Sequence, residues 1–253
     1  DAGIRAVESA PDPYVAWQLM KTFKPDVITL DVEMPRMDGL TFLEKLMKTK
    51  PVPVVMVSAA TSVGTRETLR ALELGAVDFM EKPKVDAKTG VVAMAEELVQ
   101  KVKVAAGAKL RQRDRSAAPR PVSTGGGAGI NPAKVVAIGA STGGTEALAE
   151  LLACLPKDVP GIVIVQHMPA RFTGSFAERL NRESAMTVRE AADGDTIVRG
   201  LALLAPGDLH MEVRRVGNKR IVRTFDAPPV NRFRPSVDVL FRSVARHVAD
   251  EAV

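Results

Sequence analysis

With 253 residues, 46% of them hydrophobic, the chain is long enough for two domains of ordinary size and apolar enough to give each a core. No run of 18 apolar residues and no signal-peptide pattern occurs, which reads as a soluble, cytoplasmic protein without membrane insertion, and the single cysteine, Cys154, excludes an internal disulfide. The net charge of +5 is not a nucleic-acid footprint: residues 105–133, with five Lys or Arg against one Asp, supply most of it, and ten aromatics without a recognition-helix pattern offer little to stack on bases or read them.

The first hundred residues alternate short apolar runs with helical periodicity. Ile4 to Val7 predicts a first strand, Ala16, Leu19, Met20 and Phe23 a helix, and Val27 to Leu30 a buried strand. Leu40, Leu43 and Met47 mark the next helix, Val54 to Val57 a strand, Leu69 and Leu72 a helix stopped by Gly75, Val77 to Met80 a strand, and Met94, Leu98 and Val102 a helix. Such alternation implies a parallel sheet covered on both faces. Asp31, Ser58 and Lys82 each follow one of those strands, so a carboxylate, a hydroxyl and an ammonium should converge at one sheet edge and make a polar site able to hold an anion such as phosphate. Residues 105–133, polar and rich in Pro and Gly, have the composition of a flexible linker.

A second α/β unit, 134–253, opens with the strand Lys134 to Ile138 and the turn Gly139-Ala140-Ser141-Thr142-Gly143-Gly144. A helix follows directly, since Leu148, Leu151, Leu152 and Leu155 recur at i, i+3, i+4 and i+7; Cys154 on that helix reads as a small core residue. Ser141 therefore sits at the tip of a strand-turn-helix. The pattern G-x-S-x-G is compatible with a structural corner, a phosphate cradle or an exposed nucleophile. A dinucleotide fingerprint would need glycine at 141 and an acidic residue about 20 positions on, and neither is present.

His167 sharpens the reading. The next strand, Ile162 to Val165, ends in Gln166-His167, and successive strands of a parallel sheet place their carboxyl ends at the same edge. A serine hydroxyl needs a base within hydrogen-bond reach, and an imidazole at that position supplies one. His210 and His247 read as packing or structural residues, and Arg232 and Arg234 beside Pro228-Pro229 as either solvated or turned toward an acidic partner.

Residues 1–104 resemble the receiver domain of two-component response regulators, through Asp31 in D-V-E-M-P-R-M-D-G, Ser58 in V-S-A and Lys82 in K-P. Residues 134–253 look like the catalytic domain of the chemotaxis-specific protein-glutamate methylesterases, through G-A-S-T-G-G at 139–144, Q-H-M-P at 166–169, A-P-G-D-x-H-M at 205–211 and R-P-S-V-D-V-L-F at 234–241. The fold implied is two doubly wound parallel-sheet α/β domains, a flavodoxin-like receiver and a Rossmann-like esterase, joined by the linker. By the same resemblance Asp31 would accept a phosphoryl group, Ser58 and Lys82 would sense it, and Asp31 with the backbone of Glu33 would hold Mg2+ during phosphorylation. Ser141 would be the nucleophile and His167 its general base, with no cofactor for the hydrolase. The substrate implied is a glutamate methyl ester on the cytoplasmic domain of a chemoreceptor, with glutamine deamidation as a second activity, and the phosphodonor a chemotaxis histidine kinase. The alternative is a non-catalytic response regulator whose output domain only binds a partner.

Two departures from these families set further expectations. The receiver lacks its first strand, with the acidic pair that would complete the cation site. No G-M-G-x-D-G stretch, the source of the third triad residue, occurs in 1–253. Asp193, Asp195, Asp208, Asp226 and Asp238 stand in no matching context, so none of them is assigned to that role. These 253 residues alone are therefore expected to have little esterase activity and to leave unpaired sheet edges.

Overall fold

The computed structural model describes residues 2–58, 62–82, 88–108, 110 and 134–253, with the side chains of 62–65 and 88–94 left aside. The chain divides into two units, Asp1–Asp114 and Arg115–Val253.

The first unit is a three-stranded parallel sheet with helices between its strands. Its elements are α1 (Pro13–Thr22), β1 (Ile28–Asp31), α2 (Gly39–Thr49), β2 (Val54–Ser58), α3 (Ser62–Glu73), β3 (Asp78–Glu81) and α4 (Lys88–Ala106), in sheet order β1-β2-β3. Local chemistry starts two of the helices. Asp12 accepts the N–H groups of Tyr14 at 2.9 Å and Val15 at 3.1 Å, with Pro13 in the first turn of α1, while Asp38 accepts the Thr41 N–H at 2.9 Å at the head of α2. The central strand has Val54, Val55 and Met56 fully buried, and Phe42, Leu43 and Leu46 of α2 are equally buried. Gly75, at φ +109°, closes α3 as expected.

Ile4 to Val7 do not form the predicted strand. Val7 is 80% exposed, and among the described residues no strand pairs with this segment. An apolar run cannot hold an extended ladder without a neighbour to accept its hydrogen bonds. The polar, breaker-rich stretch read as a linker lies mostly outside the described residues, although α4 extends to Ala106, two residues into it.

The second unit contains β4 (Val135–Ala140), α5 (Gly144–Cys154), β5 (Gly161–Gln166), α6 (Ala170–Glu183), β6 (Thr187–Glu190), β7 (Leu201–Leu204), β8 (His210–Val216), β9 (Lys219–Phe225) and α7 (Val237–His247). The sheet is parallel in the order β4-β5-β7-β6. β5 is buried along its whole length, as a strand covered on both faces should be. Val163 and Val165 face a core completed by Met211, Val213 and Val222 of β8 and β9 and by Leu240 and Val244 of α7. By alternation Ile162 and Ile164 face the other side. The antiparallel pair β8-β9 is an element the apolar pattern alone did not announce. The β4 edge is not bare: Val253 donates its N–H to the Val135 carbonyl and accepts the Ala137 N–H, both at 3.0 Å.

Candidate functional site

Ser141 immediately follows β4, and a turn of two residues leads into α5. Gly143 adopts φ +77° and caps the helix, and Gly144 donates its N–H to the Ser141 carbonyl at 2.7 Å, which closes the turn. Residues Val135 to Ala140 of β4 pair in register with Gly161 to Gln166 of β5, so the residues following the two strands emerge side by side. The His167 N–H then bonds the Ala140 carbonyl at 3.1 Å, which extends the ladder past the strand end.

The two side chains meet. His167 Nδ1 lies 3.2 Å from Ser141 Oγ, at a solvent-exposed rim. That is within hydrogen-bond distance, the first geometric condition for a base to take a hydroxyl proton. Gln166 and Phe233 complete the setting, and neither was singled out from the sequence. Gln166 is buried, and its Nε2 donates to the carbonyl of Ser141 at 3.0 Å and to that of His167 at 3.3 Å, tying together the two backbones that carry the pair. The quoted Q-H-M-P stretch was the available signal for it. Phe233 stacks on the imidazole with ring centroids 3.7 Å apart and an interplanar angle of 5°. Nothing in the sequence pointed to it, since it precedes the quoted R-P-S-V-D-V-L-F stretch by one residue.

Four of the five internal aspartates named above are engaged elsewhere. Asp195 accepts Arg189 Nη2 at 2.7 Å and the Ala192 N–H at 2.6 Å, and the Arg189 guanidinium, foremost, holds its carboxyl below the usual carboxylate range. Asp193 accepts the Thr224 N–H, Asp226 pairs with Arg234, and Asp238 accepts Asn231 Nδ2 at 2.9 Å. His210 is buried, with Nε2 3.0 Å from the Pro228 carbonyl oxygen, and so ties β8 to the loop after β9. Arg234 also donates to the Ala227 carbonyl, a structural engagement rather than a guanidinium held out to solvent. Cys154 is half-buried and free.

In the first unit Asp31, the last residue of β1, and Lys82, just past β3, form an ion pair at 2.5 Å. Ser58, the last residue of β2, is fully buried, and its carbonyl accepts the Lys82 N–H at 2.8 Å. The three predicted residues thus stand at one sheet edge. The Glu33 N–H bonds Asp31 Oδ1 at 3.2 Å. The Lys82-Pro83 bond, which the resemblance implies to be cis, lies outside the described residues. Among the described residues no group of three or more His, Cys, Asp or Glu could hold a metal ion. The Asp31 carboxylate and the Glu33 carbonyl are hard oxygen donors of the kind magnesium takes, and they would supply only part of its shell.

Residues 136–253 match the family model described as CheB methylesterase, and residues 1–94 the one described as response regulator receiver domain. A protein-glutamate methylesterase/protein-glutamine glutaminase of Salmonella typhimurium is 53% identical over 247 residues, which cover 98% of this chain and 70% of the relative. This chain belongs to the protein-glutamate methylesterase/protein-glutamine glutaminase family. A second family member, from Xanthomonas euvesicatoria, is 52% identical over 100% of this chain and 73% of its own length. The solved CheB methylesterase catalytic domain of Thermotoga maritima is 38% identical at a TM-score of 0.46, covering 47% of this chain and 64% of that one. No helix among the described residues is long and apolar enough to cross a membrane.

Proposed function

We propose that this family member hydrolyses glutamate methyl esters on the cytoplasmic domains of chemoreceptors, with Ser141 as nucleophile and His167 as general base, and that the same site deamidates receptor glutamines. The observation that carries the reading is the 3.2 Å approach of His167 Nδ1 to Ser141 Oγ. Neutral His167 with its proton on Nε2 takes the Ser141 proton at Nδ1 as Oγ attacks the ester carbonyl, and returns a proton to the departing methoxide; such transfer is worth roughly 10²- to 10⁴-fold. Water then attacks the acyl-serine by the same base and releases the glutamate. The tetrahedral oxyanion falls beside the first turn of α5, where N–H groups and the helix dipole favour negative charge, one donor being worth about 3 kcal/mol. Gly144's N–H is already engaged with the Ser141 carbonyl, so other donors must serve.

Residues 1–104 act as the receiver, 105–133 as the linker and 134–253 as the catalytic domain. A chemotaxis histidine kinase supplies the phosphoryl group to Asp31, and Ser58 and Lys82 bind it. The Asp31 carboxylate and the Glu33 carbonyl would help hold magnesium, which when bound would neutralise charge during that transfer and would have no part in ester hydrolysis. The protein works in the cytoplasm, where its receptor substrate presents these esters. In full-length protein, Ser141→Ala should abolish methanol release from methylated receptor membranes and Ser141 labelling by a fluorophosphonate. His167→Gln should lower both by at least roughly 10²-fold. Turnover that survives Ser141→Ala would overturn the reading in favour of a partner-binding output domain.

A further inference from the structure

We infer that Phe233 is a positioning residue for the reaction: its ring fixes the plane of the His167 imidazole and supports the imidazolium formed when Ser141 gives up its proton. The inference rests on the hydrolase reading above and deepens it. His167 is half-buried, with its Nδ1 turned to Ser141 Oγ. A parallel ring 3.7 Å away closes one face of the imidazole and restricts its rotation about the Cβ–Cγ bond. The same face of an aromatic ring attracts a cation, so the contact strengthens as the imidazole becomes charged. It therefore favours the state that follows proton transfer over the one before it, which is what catalysis requires.

Phe233 is not there to fill a core. It is 42% exposed, yet its backbone is tightly held. Asn231 and Arg232, at φ 51° and 73°, form a two-residue turn closed by reciprocal hydrogen bonds of 3.1 Å between Val230 and Phe233. Asn231 Nδ2 ties that turn to Asp238 of α7, and Arg234 ties its far side to the Ala227 carbonyl. A large apolar side chain kept in water by a rigid frame, with its face laid on the candidate base, is placed for that base.

The test combines kinetics and spectroscopy in full-length protein. Ring-carbon-labelled histidine gives an NMR spectrum in which, with the His167 signals assigned by their loss in His167→Gln, stacking under Phe233 shifts the His167 ring protons upfield. Phe233→Leu should return them toward ordinary positions and lower kcat for ester hydrolysis by roughly tenfold with KM nearly unchanged, while Phe233→Tyr and Phe233→Trp should restore both. The inference is overturned by ordinary His167 shifts in the unsubstituted protein. A Phe233→Leu protein with normal kcat, or aromatic variants as slow as the leucine one, would overturn it equally. Turnover persisting in Ser141→Ala would defeat the hydrolase reading instead, and the His167 shifts would still report on the stack.

Discussion

Gly143 and Gly144 are adjacent in the turn beneath Ser141, yet each is glycine for its own reason. A Cβ on Gly143 would meet nothing within 4 Å, and only its φ of +77° disfavours a side chain. A Cβ on Gly144 would run into Gln166 Oε1 and stand 2.7 Å from Ala140 Cβ. To make room Gln166 must shift, and with it go its hydrogen bonds to the Ser141 and His167 carbonyls. Gly143→Ala should therefore cost about 1 kcal/mol through backbone strain and leave most activity. Gly144→Ala should cost about 1–3 kcal/mol and lower kcat far more, because it spreads the two backbones that carry the pair. Thermal melting and ester turnover of the two variants check this, and equal effects would mean that the Gln166 clamp is unimportant. The glycines made the turn legible in the sequence; that the amide of Gln166 packs against Gly144 is a tertiary fact, since the two lie 22 positions apart on different elements.

Among the elements, α5 and α6 are joined by a charge cluster rather than by apolar contact alone. Arg179 of α6 is almost wholly buried, donating Nη2 to Glu146 of α5 at 2.8 Å and Nε to Glu183 one turn along its own helix at 2.9 Å. Burial, the largest influence, pulls the guanidinium's pKa down, but the two carboxylates more than offset it and the net direction is upward. Removing one member leaves the others without their counter-charge, so Arg179→Ala should destabilise the second unit by about 3 kcal/mol. Arg179→Leu combined with Glu146→Gln and Glu183→Gln should recover most of it, because a cluster replaced as a whole leaves no orphaned charge. Urea unfolding followed by a probe in the second unit distinguishes the two. Continuous apolar runs such as Ile162 to Val165 made the parallel strands legible in advance, because a strand buried on both faces has nothing else to be. The β8-β9 hairpin was not, since Arg214, Arg215, Lys219, Arg220 and Arg223 mask its alternation, and only Met211, Val213 and Val222 face the core. Ile4 to Val7 erred the other way, carrying β-branched residues without a strand to pair with.

At the scale of the whole molecule the question is what couples Asp31 to Ser141. Phosphorylation of Asp31, as proposed above, would replace one carboxylate charge with a phosphoryl group carrying about two, a net gain of about one negative charge with three acceptor oxygens at the edge where Lys82 already pairs with Asp31. Lys82 must then follow the phosphoryl oxygens, and because its N–H is bonded to the Ser58 carbonyl, its movement is felt along the ends of β2 and β3. If the receiver restrains the catalytic domain, a small phosphodonor such as acetyl phosphate should raise ester hydrolysis in full-length protein. Asp31→Ala should remove that response and keep the basal rate, Lys82→Ala should allow phosphorylation with a blunted response, and removal of residues 1–104 should free the catalytic domain from dependence on the donor. These outcomes separate relief of inhibition from direct activation. A truncated protein as slow as the unphosphorylated full chain would show that the phosphorylated receiver contributes something positive, whereas one as fast as the phosphorylated chain would show that its role is to stand in the way. Methanol release measured side by side for the four proteins, with Ser141→Ala as the zero, decides between them.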